Sequence, residues 1–451
     1  MSLPASSLWA MRVDEMGSEA SARMITRADE AWEGARHFHA GSGDPDAIVQ
    51  ARSVEDVVTA VRWASLRQVP ITVIGGGHSA WGTVPGGLTL DVSGLRTVEV
   101  VGDLVRIGGG ATWGAVADIL AGRGLGISSG DTASVGVGGL TLGGGIGWMV
   151  RAWGLAADQL VGAQVVAASG DVVEVTAQTH PELMWALRGG GGNFGVVTRF
   201  DFRAHALDAV VFAACRVVGD KRAALRAVRE LMRDAPRELT VTYMDVPPMD
   251  PSAPAGAGIT AVWAEPDEEA ARDALAPLLA RDDLVFDSLA VARYPDILLD
   301  MPAADPSAPP PGFAGGNALL AELGDEAVDE LVSFRERHPA SVLLLRSLGG
   351  AYADVAQEDT PFPARDATWF AMAGAFDLPG VLDVAGRADA LRLEERLDAL
   401  GCGFYGNFTT STDAALAAKV FPPPTMARLA AVKREWDPQN LFRRNHNVLP
   451  A

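Results

Sequence analysis

Ile74-Gly75-Gly76-Gly77-His78-Ser79 is the stretch on which the fold turns. A short apolar run, Ile71 to Ile74, ends in three glycines that hand the chain to a histidine. Bare backbone lies close to a flat anionic ligand, and the imidazole then reaches the ligand's edge. Gly75-x-Gly77-x-x-Ala80 also satisfies a loose dinucleotide fingerprint, with Asp91 at a plausible distance beyond it. That fingerprint needs a helix to open at its end, whereas Gly82, Pro85, Gly86 and Gly87 come next and break one. No Gly-Lys-Ser/Thr follows any glycine cluster, which removes a P-loop.

Upstream of the turn, Ala47 to Val73 reads strand, helix, strand. Ser53 caps the helix, Asp56 stands three residues later, and Val54, Val57, Val58 and Val61 share one face. Downstream, two hairpins are predicted: Thr97 to Val101 turning through Gly102-Asp103 into Leu104 to Ile107, and Ala163 to Ala168 turning through Ser169-Gly170-Asp171 into Val172 to Val175. Between them, Gly124 to Val150 holds Gly126, Gly130, Gly136, Gly138, Gly139, Gly143, Gly144, Gly145 and Gly147 and no lysine or arginine. A pyrophosphate bound there is held by converging backbone N–H groups; without a ligand the same glycines are tight strand turns.

The 451 residues exceed one ordinary core, and 48% are apolar, so a globular protein of more than one domain is expected. A formal charge of -20 repels a phosphate backbone, and no basic stripe is present, so nucleic acid is excluded as a partner. No segment has the roughly 18 unbroken apolar residues of a membrane helix. Met1 to Trp9 is followed by Arg12, Asp14, Glu15 and Glu19 with no secretory apolar region, and a cytoplasmic protein is expected. Cys215 and Cys402 read as inert buried thiols rather than a disulfide. Of seven histidines only His37 and His39 stand close together, too thin a cluster for a metal site.

Three segments are expected: 1–205, rich in strands and glycine loops; 206–400, a substrate domain with alanine- and leucine-rich helical patterns; and 401–451, returning to the first domain and ending in a helix through Met426, Leu429, Val432 and Trp436. The loops Val246 to Pro251 and Pro306 to Gly312 read as extended surface connections.

Gly75-Gly76-Gly77-His78, Val135 to Gly147 and Pro181 to Thr198, which carries Arg188-Gly189-Gly190-Gly191-Gly192-Asn193-Phe194-Gly195, together resemble the FAD-linked oxidases of the vanillyl-alcohol-oxidase type, in their bacterial berberine-bridge-enzyme-like branch. Tyr405-Gly406-Asn407 and Asp437 to Asn447 look like the same family's C-terminal signature. The resemblance implies an α+β fold of the PCMH type, in which two α+β subdomains cradle FAD and an antiparallel sheet backed by helices covers the flavin ring. It implies that His78 is bonded to the flavin 8α carbon, raising its potential. Relatives with a second covalent link carry cysteine where this chain has Thr132, so one tether is expected. Val135, Gly136, Val137, Gly138 and Gly139 then lie along pyrophosphate and ring, and the small Val135 leaves oxygen access. Ile74 replaces the arginine that relatives often place before the glycines. Further cofactor contacts are assigned to Ser79, Gly82, Gly130, Leu142, Gly145, Gly147, Val197, Asn445 and Asn447.

The chemistry implied is hydride removal to flavin N5 from a carbon bearing O–H or N–H, with O2 giving hydrogen peroxide. Tyr405 is the candidate base and Asn407 its orienting partner; a phenol of ordinary pKa near 10 needs a cation or hydrogen bonds to act near neutrality. Tyr243, Asp245, Arg346 and Tyr352 are placed on the substrate face. An alcohol substrate, such as a sugar hydroxyl or a secondary-metabolite intermediate, is preferred. A flavin amine oxidase like the nicotine-degrading relatives is the alternative, and a non-catalytic carrier or nicotinamide enzyme the third class. The protein is expected to be a monomer or homodimer and to need no metal.

Overall fold

The computed structural model describes residues 23–247, 256–301, 303, 305, 312–377 and 380–451. The readings of the first nine residues and of 248–251 and 306–311 in the two proline-bearing loops lie outside them.

Helix Val54–Arg67 starts where the sequence asks: the Ser53 hydroxyl accepts from the Asp56 N–H at 3.2 Å, and the Asp56 carboxylate accepts from the Ser53 N–H at 3.1 Å. Such a cap contributes about 1 kcal/mol. Val57, Ala60, Val61 and Ala64 form its buried stripe against a sheet of Ala47–Gln50, Leu88–Asp91 and Ile71–Ile74, all parallel, with Arg23–Ile25 antiparallel at one edge. The His78 turn leaves from the carboxyl end of this parallel set, where open α/β sheets commonly bind ligands.

Both predicted hairpins lie in a second, antiparallel sheet ordered Val172–Thr176, Leu160–Val166, Val196–Arg203, Leu104–Gly108, Val98–Val101. The expected run of turns at Val135 to Gly147 is corrected in part. Val137–Leu142 is one short helix with Gly136 at its N-cap, because Val137, Thr141 and Leu142 are buried and packing overrides the poor helix propensity of glycine.

The largest element is a seven-stranded antiparallel sheet ordered Leu284–Ala292, Val210–Val217, Gly256–Trp263, Leu239–Val246, Ser341–Ser347, Trp369–Asp377, Gly312–Leu320. Its strands alternate, and Leu239, Val241, Tyr243, Ala371 and Ala373 turn toward helices Lys221–Arg233, Glu268–Leu279, Asp325–Arg337 and Val384–Leu400. Each fully buried Val or Leu there contributes about 1.5–3 kcal/mol. The opposite face packs on the glycine-rich part: Val210 and Val262 meet Trp148 and Met149, while Leu319 and Phe370 meet Ile146 and Tyr405.

Helix Pro423–Trp436 buries Leu429 and Val432 in the cluster that holds Trp113, Phe200 and Phe202. Below it, Lys433 and Asp437, both fully buried, form a 2.6 Å ion pair. The Lys433 ammonium also donates to the Asn193 and Phe442 carbonyls, and Asp437 accepts the Leu441 and Phe442 N–H groups. This knot holds the C-terminal signature against the Gly189–Gly192 turn. Among the described residues no helix is long and apolar enough to cross a membrane.

Candidate active site

Gly77 has φ +69°, the left-handed region, and this sharp turn points His78 back toward the loop after Gly130. A Cβ on Gly76 would overlap the backbone nitrogen of Gly136, and one on Gly136 would overlap that of Gly76. The two glycine segments therefore touch backbone to backbone. This contact brings the His78 imidazole to Ser134, whose Oγ lies 3.1 Å from Nε2. On its other side the ring stacks on His39, with centroids 3.6 Å apart and an interplanar angle of 18°. Burial pushes the His78 pKa down to about 4, the neighbouring His39 adds to the shift, and the Ser134 hydrogen bond opposes it. His78 is a neutral imidazole at pH 7, with Nδ1 left by Ser134 for another partner.

Ser134 and His39 are functional neighbours that sequence reasoning misses. His39 enters it only in a pair too thin for a metal site, and nothing local in the sequence signals a stack between positions 39 residues apart. Among the described residues no cluster of His, Cys, Asp and Glu is arranged to hold a metal.

The short helix runs past His78 with Gly139 exposed and open space where its side chain would be. Beyond it, Asn407, which is exposed, donates its Nδ2–H to the Leu140 carbonyl and to the Tyr405 oxygen, both at 3.2 Å. The Tyr405 oxygen also accepts from the Ile146 N–H at 3.3 Å. Tyr405 is 1% exposed; burial raises its pKa, and the Asn407 and Ile146 hydrogen bonds pull the other way. With two N–H donors on its oxygen, the phenol is left to direct its own proton outward. At the other side of the turn, Trp81 meets His446 edge to face at 5.9 Å, and His446 Nε2 pairs with the Gly406 carbonyl at 2.8 Å. Asn445 Oδ1, Asn447 Oδ1 and His446 Nδ1 are buried without a partner among the described residues. Three buried unsatisfied acceptors beside an open glycine backbone fit a large planar ligand with hydrogen-bonding edges of its own.

The remaining assigned residues divide. Ser79 caps a single 3-10 turn, Ala80–Thr83, and Gly82 packs on Phe38 and Ile74. Gly130, Gly145 and Gly147 are pressed against Leu140, Ala156 and Ser129, and Val135 is half-buried beside Ser134. Thr132 forms an isolated parallel bridge with Leu299. The side chains of Val137, Leu142 and Val197 lie in the apolar core, and Ile74 is also buried, so these four offer a ligand at most their backbone.

The substrate-face assignment needs correction. Tyr243 and Asp245 fall on the helix side by strand alternation, Tyr243 buried in the core and Asp245 paired with Lys221 at 2.6 Å and Arg335 at 3.0 Å. Tyr352 is buried with its hydroxyl on the Ala364 carbonyl at 2.7 Å. Of the four, Arg346 alone is on the named face. Its two terminal nitrogens grip Asp131 at 2.5 and 2.6 Å, Nε donates to Thr242, and the guanidinium lies 4.4 Å from the Trp148 ring.

Residues 45–176 match the model of the FAD binding domain, and residues 420–449 that of berberine and berberine-like proteins. Over 458 residues the chain is 30% identical to (R)-6-hydroxynicotine oxidase of Paenarthrobacter nicotinovorans, with 93% of each chain covered. The chain belongs to the berberine-bridge-enzyme-like FAD-linked oxidases. The solved 6-hydroxy-D-nicotine oxidase of Arthrobacter nicotinovorans superposes on this FAD-linked oxidase with TM-score 0.80 and 26% identity, covering 97% of this chain and 100% of that one. Glucooligosaccharide oxidase of Acremonium strictum, described with a 6-S-cysteinyl, 8α-N1-histidyl FAD, shares the fold at TM-score 0.80 and 24% identity, covering 95% and 97%. This member of the family is thus an FAD-dependent oxidoreductase with the family's mixed helix-and-sheet fold.

Proposed function

We propose that the enzyme oxidises an alcohol carbon of a small molecule, with Tyr405 as the base and O2 as the terminal acceptor, and that His78 is the only covalent tether of FAD. When bound, FAD supplies the hydride acceptor and the site at which O2 is reduced to hydrogen peroxide. The N–H groups of Asn407 and Ile146 stabilise the phenolate form of Tyr405, which receives the hydroxyl proton of the substrate and becomes the neutral phenol as the hydride leaves the carbon. That pair of donors on one buried phenol oxygen is the observation that carries the reading. Asn445 and Asn447 offer acceptors and the Gly136–Gly139 backbone a close surface for the cofactor.

Supporting one tether, Thr132 stands at the position of the second link, Cys215 is buried on the helix side of the sheet, and Cys402 lies against the Leu319 carbonyl. Supporting Nδ1 of His78 as the attached atom, Nε2 is engaged by Ser134. Protein that stays yellow through acid precipitation, and His78→Ala protein that loses its colour there, is the expected result; a tether surviving His78→Ala refutes it.

Amine oxidation is the second reading, favoured by the full-length relationship to a nicotine oxidase. Hydrogen peroxide release from matched alcohol and amine panels separates the two, and release from amines alone overturns the first.

A further inference from the structure

The register of the seven-stranded sheet sets out, residue by residue, what faces the proposed base. In the row opposite the helices, Gly258 pairs with Met244, Met244 with Leu344, Leu344 with Met372, and Met372 with Asn317. The next row inward runs Thr260, Thr242, Arg346, Phe370, Leu319. Met244, Leu344 and Met372 are only half-buried, whereas Thr242, Arg346, Phe370 and Leu319 are closed off. Leu344 and Met372 pack on the apolar cluster that contains Tyr405.

At the Asn317 end of this row stands Phe408, 38% exposed. Its ring lies 5.5 Å from that of Tyr405 at an interplanar angle of 27° and 5.0 Å edge-on from Phe370. Phe408 is held by its own backbone: Asn317 Nδ2 donates to the Phe408 and Tyr405 carbonyls, and Asn317 Oδ1 accepts from the Tyr405 N–H. The amide of Asn317 is therefore committed to the protein. So are the charges on these rows: Asp131 neutralises Arg346, and Arg216, which continues the first row beyond Gly258, is paired with Asp287.

An ammonium ion entering such a site finds no free carboxylate on these rows, and the several hydroxyls of a sugar find only the Thr260 hydroxyl there. An aromatic ring finds Phe408, two pliable thioethers and Leu344. We infer that the substrate is an uncharged molecule with a flat, apolar ring, seated between Phe408 and the Met244–Leu344–Met372 row with its reacting carbon beside Tyr405. This rests on the oxidase reading above and narrows its substrate class, and it makes Phe408 a specificity-determining residue.

The test is an anaerobic titration of the holoenzyme with 2-naphthalenemethanol, with protonated 2-naphthalenemethylamine and with cellobiose, following the visible flavin spectrum. Binding shows as a displaced band and oxidation as bleaching. Naphthalenemethanol is expected to displace the band at a concentration about tenfold or more below that needed by the amine, the order of one unmet charge or hydrogen bond. Cellobiose is expected to leave the band in place. Phe408→Ala weakens the naphthalenemethanol effect about tenfold through the lost ring contact, and Phe408→Leu recovers only part of it. Tighter binding of cellobiose or of the amine, no response to naphthalenemethanol, or an unchanged response in Phe408→Ala overturns the inference. Band displacement without bleaching supports the apolar ring site and counts separately against alcohol oxidation.

Discussion

In the glycine-rich half, two stretches of bare backbone meet at Gly76 and Gly136, and what the site presents outward is N–H groups, one imidazole and unsatisfied amide oxygens. In the seven-stranded sheet the face opposite the helices presents side chains, Met244, Leu344 and Met372, with Arg346 closed on Asp131. A cofactor shared by a whole family is held by atoms that every sequence possesses. A particular substrate is met by atoms that substitution changes freely. The Gly76–Gly136 contact therefore tolerates almost no added volume, whereas Gly258 in the sheet has room for a methyl group.

The sharpest way to break this contrast is to add a side chain to each half. Gly76→Val drives atoms into the Gly136 backbone, and FAD content per polypeptide is expected to fall more than about tenfold, since overpacking against backbone displaces the loop. Gly258→Ala in the sheet adds a contact of 3.4 Å to the Cys215 carbonyl and is expected to keep FAD content and stability within about 0.5 kcal/mol. Equal losses in both variants would erase the distinction. Flavin absorbance against protein concentration, with thermal melting, reads both.

A second test falls on the proposed base at the seam between the halves. Tyr405→Phe is expected to slow anaerobic flavin reduction by about 10²–10⁴-fold with little change in substrate binding. Because burial raises the phenol's pKa, reduction in the native enzyme should still be climbing as pH passes about 10, and the rise should vanish in the variant. A variant with the native rate removes Tyr405 from the mechanism.

For the sheet half, Arg346→Met leaves the half-buried Asp131 unpaired and is expected to cost about 3 kcal/mol in denaturant unfolding, the low end for a broken buried pair. Adding Asp131→Leu should restore most of that. If the single variant is neutral, the pair does not hold the sheet to the glycine loop.

The smallest effect concerns His78 in flavin-free protein. Its folded pKa of about 4 lies below the unfolded value of 6.5, so the unfolded chain binds the proton first. The His78 contribution is constant above pH 6.5 and is lost as pH falls from there toward 4. His78→Asn should flatten the melting temperature over that window; an unchanged slope would mean His78 is not held neutral by its surroundings.

Much of the first half is legible in the amino-acid order. Ser53 and Asp56 announce their helix, the two hairpins announce their turns, and Gly82 and Pro85 rule out an α-helix after the His78 turn, where the chain makes only a 3-10 turn. These are signals carried within a few residues. The short helix at Val137–Leu142 is not legible, since glycine argues against it locally and buried contacts decide it. In the second half Tyr243 and Asp245 lie on the face opposite to the one their chemistry suggests, because strand phase sets direction and a one-residue step reverses a strand's side chains.

Sequence by itself determined the family and its use of FAD, because close backbone approach demands glycine and leaves long, ordered motifs. Only tertiary structure decided that His39 stacks on His78, that Ser134 takes one of its nitrogens, that Asp131 silences Arg346, and that Leu344 and Met372 pack on the cluster that holds Tyr405. Each of these depends on which strand lies beside which and in what register, a property of chain segments tens to hundreds of residues apart that no local pattern records.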